Sequence, residues 1–178
     1  MSEKGGAGGR AGGGAPGGPK AKQGTPSASR VEMTEIVMPG QTNGGSILFG
    51  GVVLAWMDIA AGVAALRHAR GLVVTAAIDR VEFLEPIHLN DIVTVRAQVN
   101  HAGRTSMEVG VRVETENPRT GERRYTTKAY LTFVAVDEAG RPRPVDPVEP
   151  ETEEERRRFR DAAERRRARL SARGSQGA

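Results

Sequence analysis

One carboxylate, Asp58, sits near the middle of an apolar run over 52–66 that follows a Gly50-Gly51 pair. On a helix its neighbours three and four residues away are Leu54, Ala55, Ala61 and Gly62, so no polar stripe leads from it to water. The acid must be at least partly enclosed, and an unpaired enclosed acid is costly. Such a position is a candidate for acid–base or nucleophilic chemistry. A structural reading stands beside it, in which a backbone amide or an arginine from a partner chain satisfies the carboxylate. The residues alone leave both open.

Other chemistries are poorly supplied. The chain has no cysteine, which removes disulfides, thiolate catalysis and Cys-based zinc sites together. Its histidines, His68, His88 and His101, do not pair at metal-ligand spacing, so no metal is expected. His68 reads as a capping or surface residue at the helix end. Gly44-Gly45 suggests a phosphate cradle, but no Walker-type Lys and Ser follow, and a flexible active-site loop is the better reading.

The elements that position Asp58 follow from pattern. Residues 1–30 form a Gly/Ala/Pro/Ser/Lys tract too poor in apolar residues to order itself, and they are read as a disordered tail. The tract has no apolar core for a signal peptide, and no uncharged run reaches the ~18 residues of a spanning helix. A soluble, cytoplasmic protein is expected. The formal charge of +4 is concentrated in the ends: residues 1–30 carry +4 and 151–178 carry +3, which leaves the middle at −3. The basic balance therefore describes tails more than a nucleic-acid-binding face.

A first strand is expected over 31–38, stopped by Pro39-Gly40, then the apolar helix, ending near Ala69-Arg70-Gly71 with a glycine in the left-handed cap. A strand over 72–83 ends at Glu85-Pro86. Val93, Val95, Ala97 and Val99 alternate with polar residues, as do Met107, Val109, Val111 and Val113, the period of strands with one covered face. Asn117-Pro118-Arg119-Thr120-Gly121 signals a hairpin into a last strand over 125–136. One helix lying across one curved antiparallel sheet is the economical arrangement, an α+β fold. A partly apolar outer face suggests dimerisation. From 151 to about 170, a Thr152/Glu155 capping box and the i,i+4 pairs Glu153/Arg157, Glu154/Arg158 and Asp161/Arg165 predict a solvated, charge-laced helix.

The stretch Thr42-Asn43, five residues, Phe49-Gly50-Gly51, then Trp56-Met57-Asp58-Ile59, resembles the hotdog-fold acyl-CoA thioesterases, and most nearly the cytosolic brain-type acyl-CoA hydrolases and their small bacterial relatives. The resemblance continues through Val73-Val74-Thr75, Phe83-x-x-Pro86, Ala102-Gly103-Arg104-Thr105-Ser106-Met107-Glu108-Val109 and Val134-Ala135-Val136-Asp137. It covers 31–147 and neither tail, and it sets the expected domains as a tail over 1–30, a hotdog domain over 31–148 and a charged helix and tail over 149–178.

The resemblance implies a curved antiparallel sheet wrapped around one long buried helix, with an extra C-terminal helix here. It implies hydrolysis of an acyl-CoA to a free acid and coenzyme A, with no cofactor beyond the coenzyme A of substrate and product. It implies a homodimer with sites at the subunit interface, often a trimer of dimers; from the charge pattern and hydropathy above, no specific nucleic acid or membrane is expected as a partner. Asp58 and Asn43 carry over as catalytic residues, each from a different chain. The chemistry suits them: Asp58 as base or nucleophile, backbone N–H groups at Gly50 and Gly51 as oxyanion donors, and Asn43 orienting water or carbonyl. Thr75 lines the same groove or is an ordinary strand threonine. Arg104, Thr105 and Ser106 meet the coenzyme A phosphates or pantetheine, or form a surface turn. The alternative function is a non-catalytic acyl-CoA-binding or regulatory hotdog protein.

Overall fold

The computed structural model describes residues 24–79 and 81–174. In chain order these form α1 (Pro26–Ser29), β1 (Val31–Ile36), a 3-10 turn (Pro39–Gln41), the long helix α2 (Gly50–Ala69), β2 (Val73–Ile78), β3 (Glu82–Phe83), β4 (Ile92–Ala102), β5 (Ser106–Glu116), β6 (Arg123–Ala135) and the C-terminal helix α3 (Glu153–Gly174). The strands make one antiparallel sheet in the order β1-β4-β5-β6-β2, with β3 also paired to β6.

Alternation decides which face of each strand meets α2. Val93, Val95, Ala97 and Val99 of β4, Met107, Val109, Val111 and Val113 of β5, and Ala129, Leu131 and Phe133 of β6 are all buried. Against them α2 buries Val53, Trp56, Met57, Ala60, Ala61, Ala64 and Ala65. Each fully buried Val, Leu or Met side chain contributes about 1.5–3 kcal/mol, so this layer is the main source of stability. The alanines bring helix and sheet close together. At 20 residues and a mean hydropathy of 1.4, α2 is long and apolar enough to cross a membrane, yet here it is the centre of the core. The curved antiparallel sheet around one long helix agrees with the expected α+β fold.

Four details differ from the sequence reading. The single strand expected over 72–83 is two, β2 and β3, separated at Asp79, whose N–H donates to the Tyr130 carbonyl. The left-handed residue that closes α2 is Arg70, at φ 52°, and not Gly71. The Arg143 guanidinium occupies the space that a Cβ at Gly71 would need, and its Nη2 donates to the Ala69 carbonyl at 2.7 Å, so the glycine serves close packing.

The tail expected over 1–30 is also shorter. From Gly24 the chain is structured, with Thr25 and Ser29 buried. The Ser29 hydroxyl donates to the Pro26 carbonyl at 2.7 Å and accepts from Val99 N–H at 2.9 Å, beyond the point where β1 stops pairing with β4. A small polar residue thus replaces a missing ladder bond. The remaining tail residues, 1–23, lie outside the described residues.

Finally, α3 is not the solvated appendage expected. Its capping box forms as read, with Glu155 N–H on Thr152 Oγ1 at 3.1 Å and Thr152 N–H on Glu155 Oε2 at 3.1 Å. Beyond the cap it lies on the outer face of the sheet, where Ala162 is fully buried and Phe159 packs on His101 with ring centroids 4.9 Å apart. Of the expected i,i+4 pairs only Glu154/Arg158 forms. Asp161 pairs with Arg157, Glu153 with Arg156 and Arg160, and Arg165 reaches across to Glu108 on β5.

Candidate active site

Asp58 lies midway along α2, and within the chain its side-chain partner is neither a backbone amide nor an arginine. Thr75 of β2 donates its hydroxyl to Asp58 Oδ1 at 2.8 Å. That bond fixes the carboxylate rotamer and leaves Oδ2 without a partner among the described residues. Asp58 is half-buried, and both it and Thr75 open onto the free side of the chain. β2 is the last strand of the sheet, and its register shifts directly after Thr75, between Thr75 and Ala77. Bulges of this kind re-aim side chains at strand edges and next to active sites. One oriented acid, with one oxygen tethered and one open, can accept a proton from water or attack a carbonyl carbon.

Asn43 sits at the head of a tight turn. Its Oδ1 accepts from Gly45 N–H at 2.9 Å and Ile47 N–H at 3.1 Å, and its own N–H donates to the Ile47 carbonyl. Two backbone donors on one oxygen fix the amide orientation, so Nδ2 faces away from the turn and can act only as a donor. The segment expected to be a flexible loop is therefore a bonded turn. Ser46 takes φ 57°, and bridges Thr42 to Leu48 and Ile47 to His88 tie it to the body.

The same turn feeds α2. Phe49 is the N-cap and supplies no side-chain cap, so the N–H groups of Gly50 and Gly51 occupy the first helical positions, where no helical carbonyl precedes them. A Cβ on Gly51 would meet nothing within 4 Å, while one on Gly50 would meet the half-exposed Phe83 ring at 3.3 Å. Open space therefore faces Gly51, at the positive end of the helix.

Within one chain not all the expected residues meet. Asn43 makes its hydrogen bonds inside its own turn and none to Asp58. Arg104, Thr105 and Ser106 form the β4–β5 turn, closed by Gly103 N–H to the Ser106 carbonyl at 2.7 Å. Ser106 pairs with Val134, while Thr75 pairs with Phe133, so their side chains leave the sheet on opposite faces. The sequence reading left Thr75 undecided between groove and strand. The parity of β2 against the buried Phe133 is the signal that puts its hydroxyl on the α2 side.

Around Asp58 the chain exposes an unusual amount of apolar surface. Ile59 and Leu66 of α2, Leu72, Val74 and Ile78 along β2, and Phe83 and Leu84 are between 43% and 57% exposed. An unpaired strand edge flanked by large apolar residues is a surface built for association.

A protein of Bacillus subtilis named as an uncharacterized acyl-CoA thioester hydrolase is 46% identical over 127 residues, which are 71% of this chain and 74% of that protein. Residues 45–122 match the thioesterase superfamily. The chain belongs to the thioesterase superfamily. The cytosolic acyl coenzyme A thioester hydrolase of mouse is 31% identical over 139 residues, 77% of this superfamily member but 36% of the mouse protein.

Solved structures agree. A hexameric acyl-CoA thioesterase is 46% identical with a TM-score of 0.80, over 83% of this chain and 95% of that one. The acyl-CoA hydrolase of Staphylococcus aureus, solved with butyryl coenzyme A and coenzyme A, is 35% identical with a TM-score of 0.80, over 87% and 94%. That enzyme has also been solved with an asparagine, an aspartate or a threonine replaced by alanine, residues that follow one another at intervals of 15 and 17. The same intervals separate Asn43, Asp58 and Thr75 in this thioesterase-superfamily chain.

Proposed function

We propose that the protein hydrolyses acyl-CoA thioesters to a free acid and coenzyme A, with Asp58 as general base or nucleophile. The observation that carries the proposal is the Thr75–Asp58 hydrogen bond at 2.8 Å, which orients the one acid of α2 and leaves an oxygen free. Its support includes the names of the relatives and the shared spacing of Asn43, Asp58 and Thr75.

In the base form, Asp58 Oδ2 takes a proton from water and the hydroxide attacks the thioester carbonyl carbon. The N–H groups of Gly50 and Gly51 hold the oxyanion that develops. Collapse breaks the C–S bond, and the thiolate of coenzyme A leaves and takes up a proton. In the nucleophile form Asp58 attacks first, and water releases the acid from the anhydride. Asn43 donates from Nδ2 to the carbonyl or the water, with no cofactor needed in either form.

Asn43 does not reach Asp58 in its own chain, and apolar surface surrounds the free β2 edge. The active unit in this proposal is therefore a homodimer in which each site takes Asn43 from the other copy, with a trimer of dimers as the larger assembly. A cytoplasmic location accompanies it, and the reading includes no nucleic-acid or membrane partner. The test is thiol release from short to long acyl-CoAs by wild type and Asp58→Asn side by side. Turnover lost in a folded variant supports the proposal. No turnover on any substrate, with coenzyme A ester binding retained, makes the protein an acyl-CoA-binding protein instead.

A further inference from the structure

Arg165, Arg166 and Arg169 of α3 all come close to the sheet, and their charges are not evenly matched. Arg165 donates to Glu108 at 2.8 Å, and Arg169 donates to Asp79 at 2.6 Å and to Glu108 at 3.1 Å. Arg166 has no carboxylate within 4 Å among the described residues, and neither does Arg104 in the neighbouring turn. Among the described residues the three guanidinium groups of α3 thus share two carboxylates, which leaves about one positive charge unmatched at this rim. His101, between them and Phe159, has its pKa lowered by burial and by the charges of Arg166 and Arg169, which reports the same positive surroundings.

Half-buried Arg166 lies flat against the turn. A Cβ on Gly103 would stand 2.9 Å from Arg166 Nε and from Nη2, so only glycine lets the guanidinium rest there. It borders a cleft of about 180 Å³ whose lining includes Ala76, Thr105, Ser106 and Thr132, and also Glu108, whose charge Arg165 and Arg169 already offset. The Thr132 hydroxyl oxygen is buried and has no partner among the described residues. A planar donor, two further hydroxyls and an unmatched positive charge around one small cleft suit a phosphate. The larger groove on the outer face, about 720 Å³, has its central arginines engaged, Arg96 by Glu32 and Glu114 and Arg112 by Glu114.

The cleft also lies where a long substrate would reach it. Ala76 follows Thr75 directly on the edge strand, so the site at Asp58 and the cleft are separated by the width of β2. Coenzyme A carries its phosphates at the far end of a pantetheine arm from its sulfur, so its phosphates are held away from the acid that faces the thioester. We infer that Arg166 of the C-terminal helix is a substrate-binding residue that, with Thr105 and Ser106, holds a phosphate of coenzyme A. This rests on the acyl-CoA reading above and gives α3 a direct part in it.

The experiment compares wild type, Arg166→Gln and Arg166→Lys in the full-length protein. It measures binding of coenzyme A itself, which needs no chemistry, and KM for an acyl-CoA and for the matching acyl-pantetheine, which lacks the phosphates. In Arg166→Gln the coenzyme A dissociation constant and the acyl-CoA KM should rise about tenfold, the worth of one charge-assisted hydrogen bond. The acyl-pantetheine KM should stay at its wild-type value, and Arg166→Lys should recover part of the loss. Unchanged coenzyme A binding, or an equal rise for both thioesters, would overturn the inference. Should wild type turn over neither thioester while Arg166→Gln still weakens coenzyme A binding, the hydrolase reading fails and this one stands.

Discussion

The two long helices, α2 of 20 residues and α3 of 22, cover opposite faces of one sheet by opposite means. α2 meets the sheet with Val, Met and Ala and carries one acid, whose only partner among the described residues is a threonine hydroxyl. α3 meets it with arginines, and the acid they engage belongs to the sheet: Glu108, with its side chain 2% exposed, accepts from Arg165 and Arg169. Arg165 also stacks over Tyr130, 3.6 Å from the ring centroid. The apolar interface can leave its one charge free for chemistry because packing already holds the helix in place. The ionic interface uses its charges to hold the helix, so a cation left over there, Arg166, stands out.

Asp58→Asn probes the apolar side. It keeps shape and the Thr75 bond, so thermal stability should stay near wild type while kcat falls about 10²–10⁴-fold, as when a positioned base is lost. Unchanged turnover would make the acid structural. Glu108→Ala probes the ionic side: it strands the partly buried Arg165, leaves Arg169 with Asp79 alone, and should lower unfolding free energy by about 3 kcal/mol in a denaturant titration. A stability change under 1 kcal/mol would reduce α3 to a loosely tethered surface helix.

Thr75→Val keeps the side-chain shape and removes only the hydroxyl that orients Asp58. Steady-state kinetics should give roughly a tenfold loss in kcat, the worth of about one hydrogen bond, with little change in KM. The smallest effect concerns His101. Its pKa in the folded protein lies below 6.5, so the unfolded chain takes up a proton first as pH falls, and stability present above pH 6.5 is lost on acidification below it. His101→Gln should flatten that part of the stability profile, as followed by thermal melts from pH 7.5 to pH 5.

Much of this was legible in the sequence, and the gaps have a common cause. Strict alternation at Val93, Val95, Ala97 and Val99 marks β4, and Asp58 declares itself by lacking polar neighbours along its helix. What sequence reading missed was set by residues distant in the chain. Gly71 is small to admit Arg143, whose guanidinium reaches the Ala69 carbonyl across 74 residues of chain, while the left-handed cap falls on Arg70. Arg165 was paired with its helical neighbour Asp161, while its partner, Glu108, lies 57 residues upstream on a strand whose outer face reads as solvent-facing. Ser29 looks like tail until Val99, 70 residues later, brings an amide in need of an acceptor. The Thr75–Asp58 bond falls between: strand parity puts the hydroxyl on the correct face, but the contact also depends on where α2 crosses β2.

Glu108 also sets a schedule for the newborn chain. It leaves the ribosome 57 and 61 residues ahead of the two arginines that engage it. Until they arrive, the acid on the open face of the sheet is covered by water and costs nothing. Docking of α3 dehydrates acid and arginines in one step, so the helix cannot be half-attached without leaving a charge dry and alone. The emergence of α3 should therefore behave as a latch, with an abrupt rise in protease resistance once Arg169 is out.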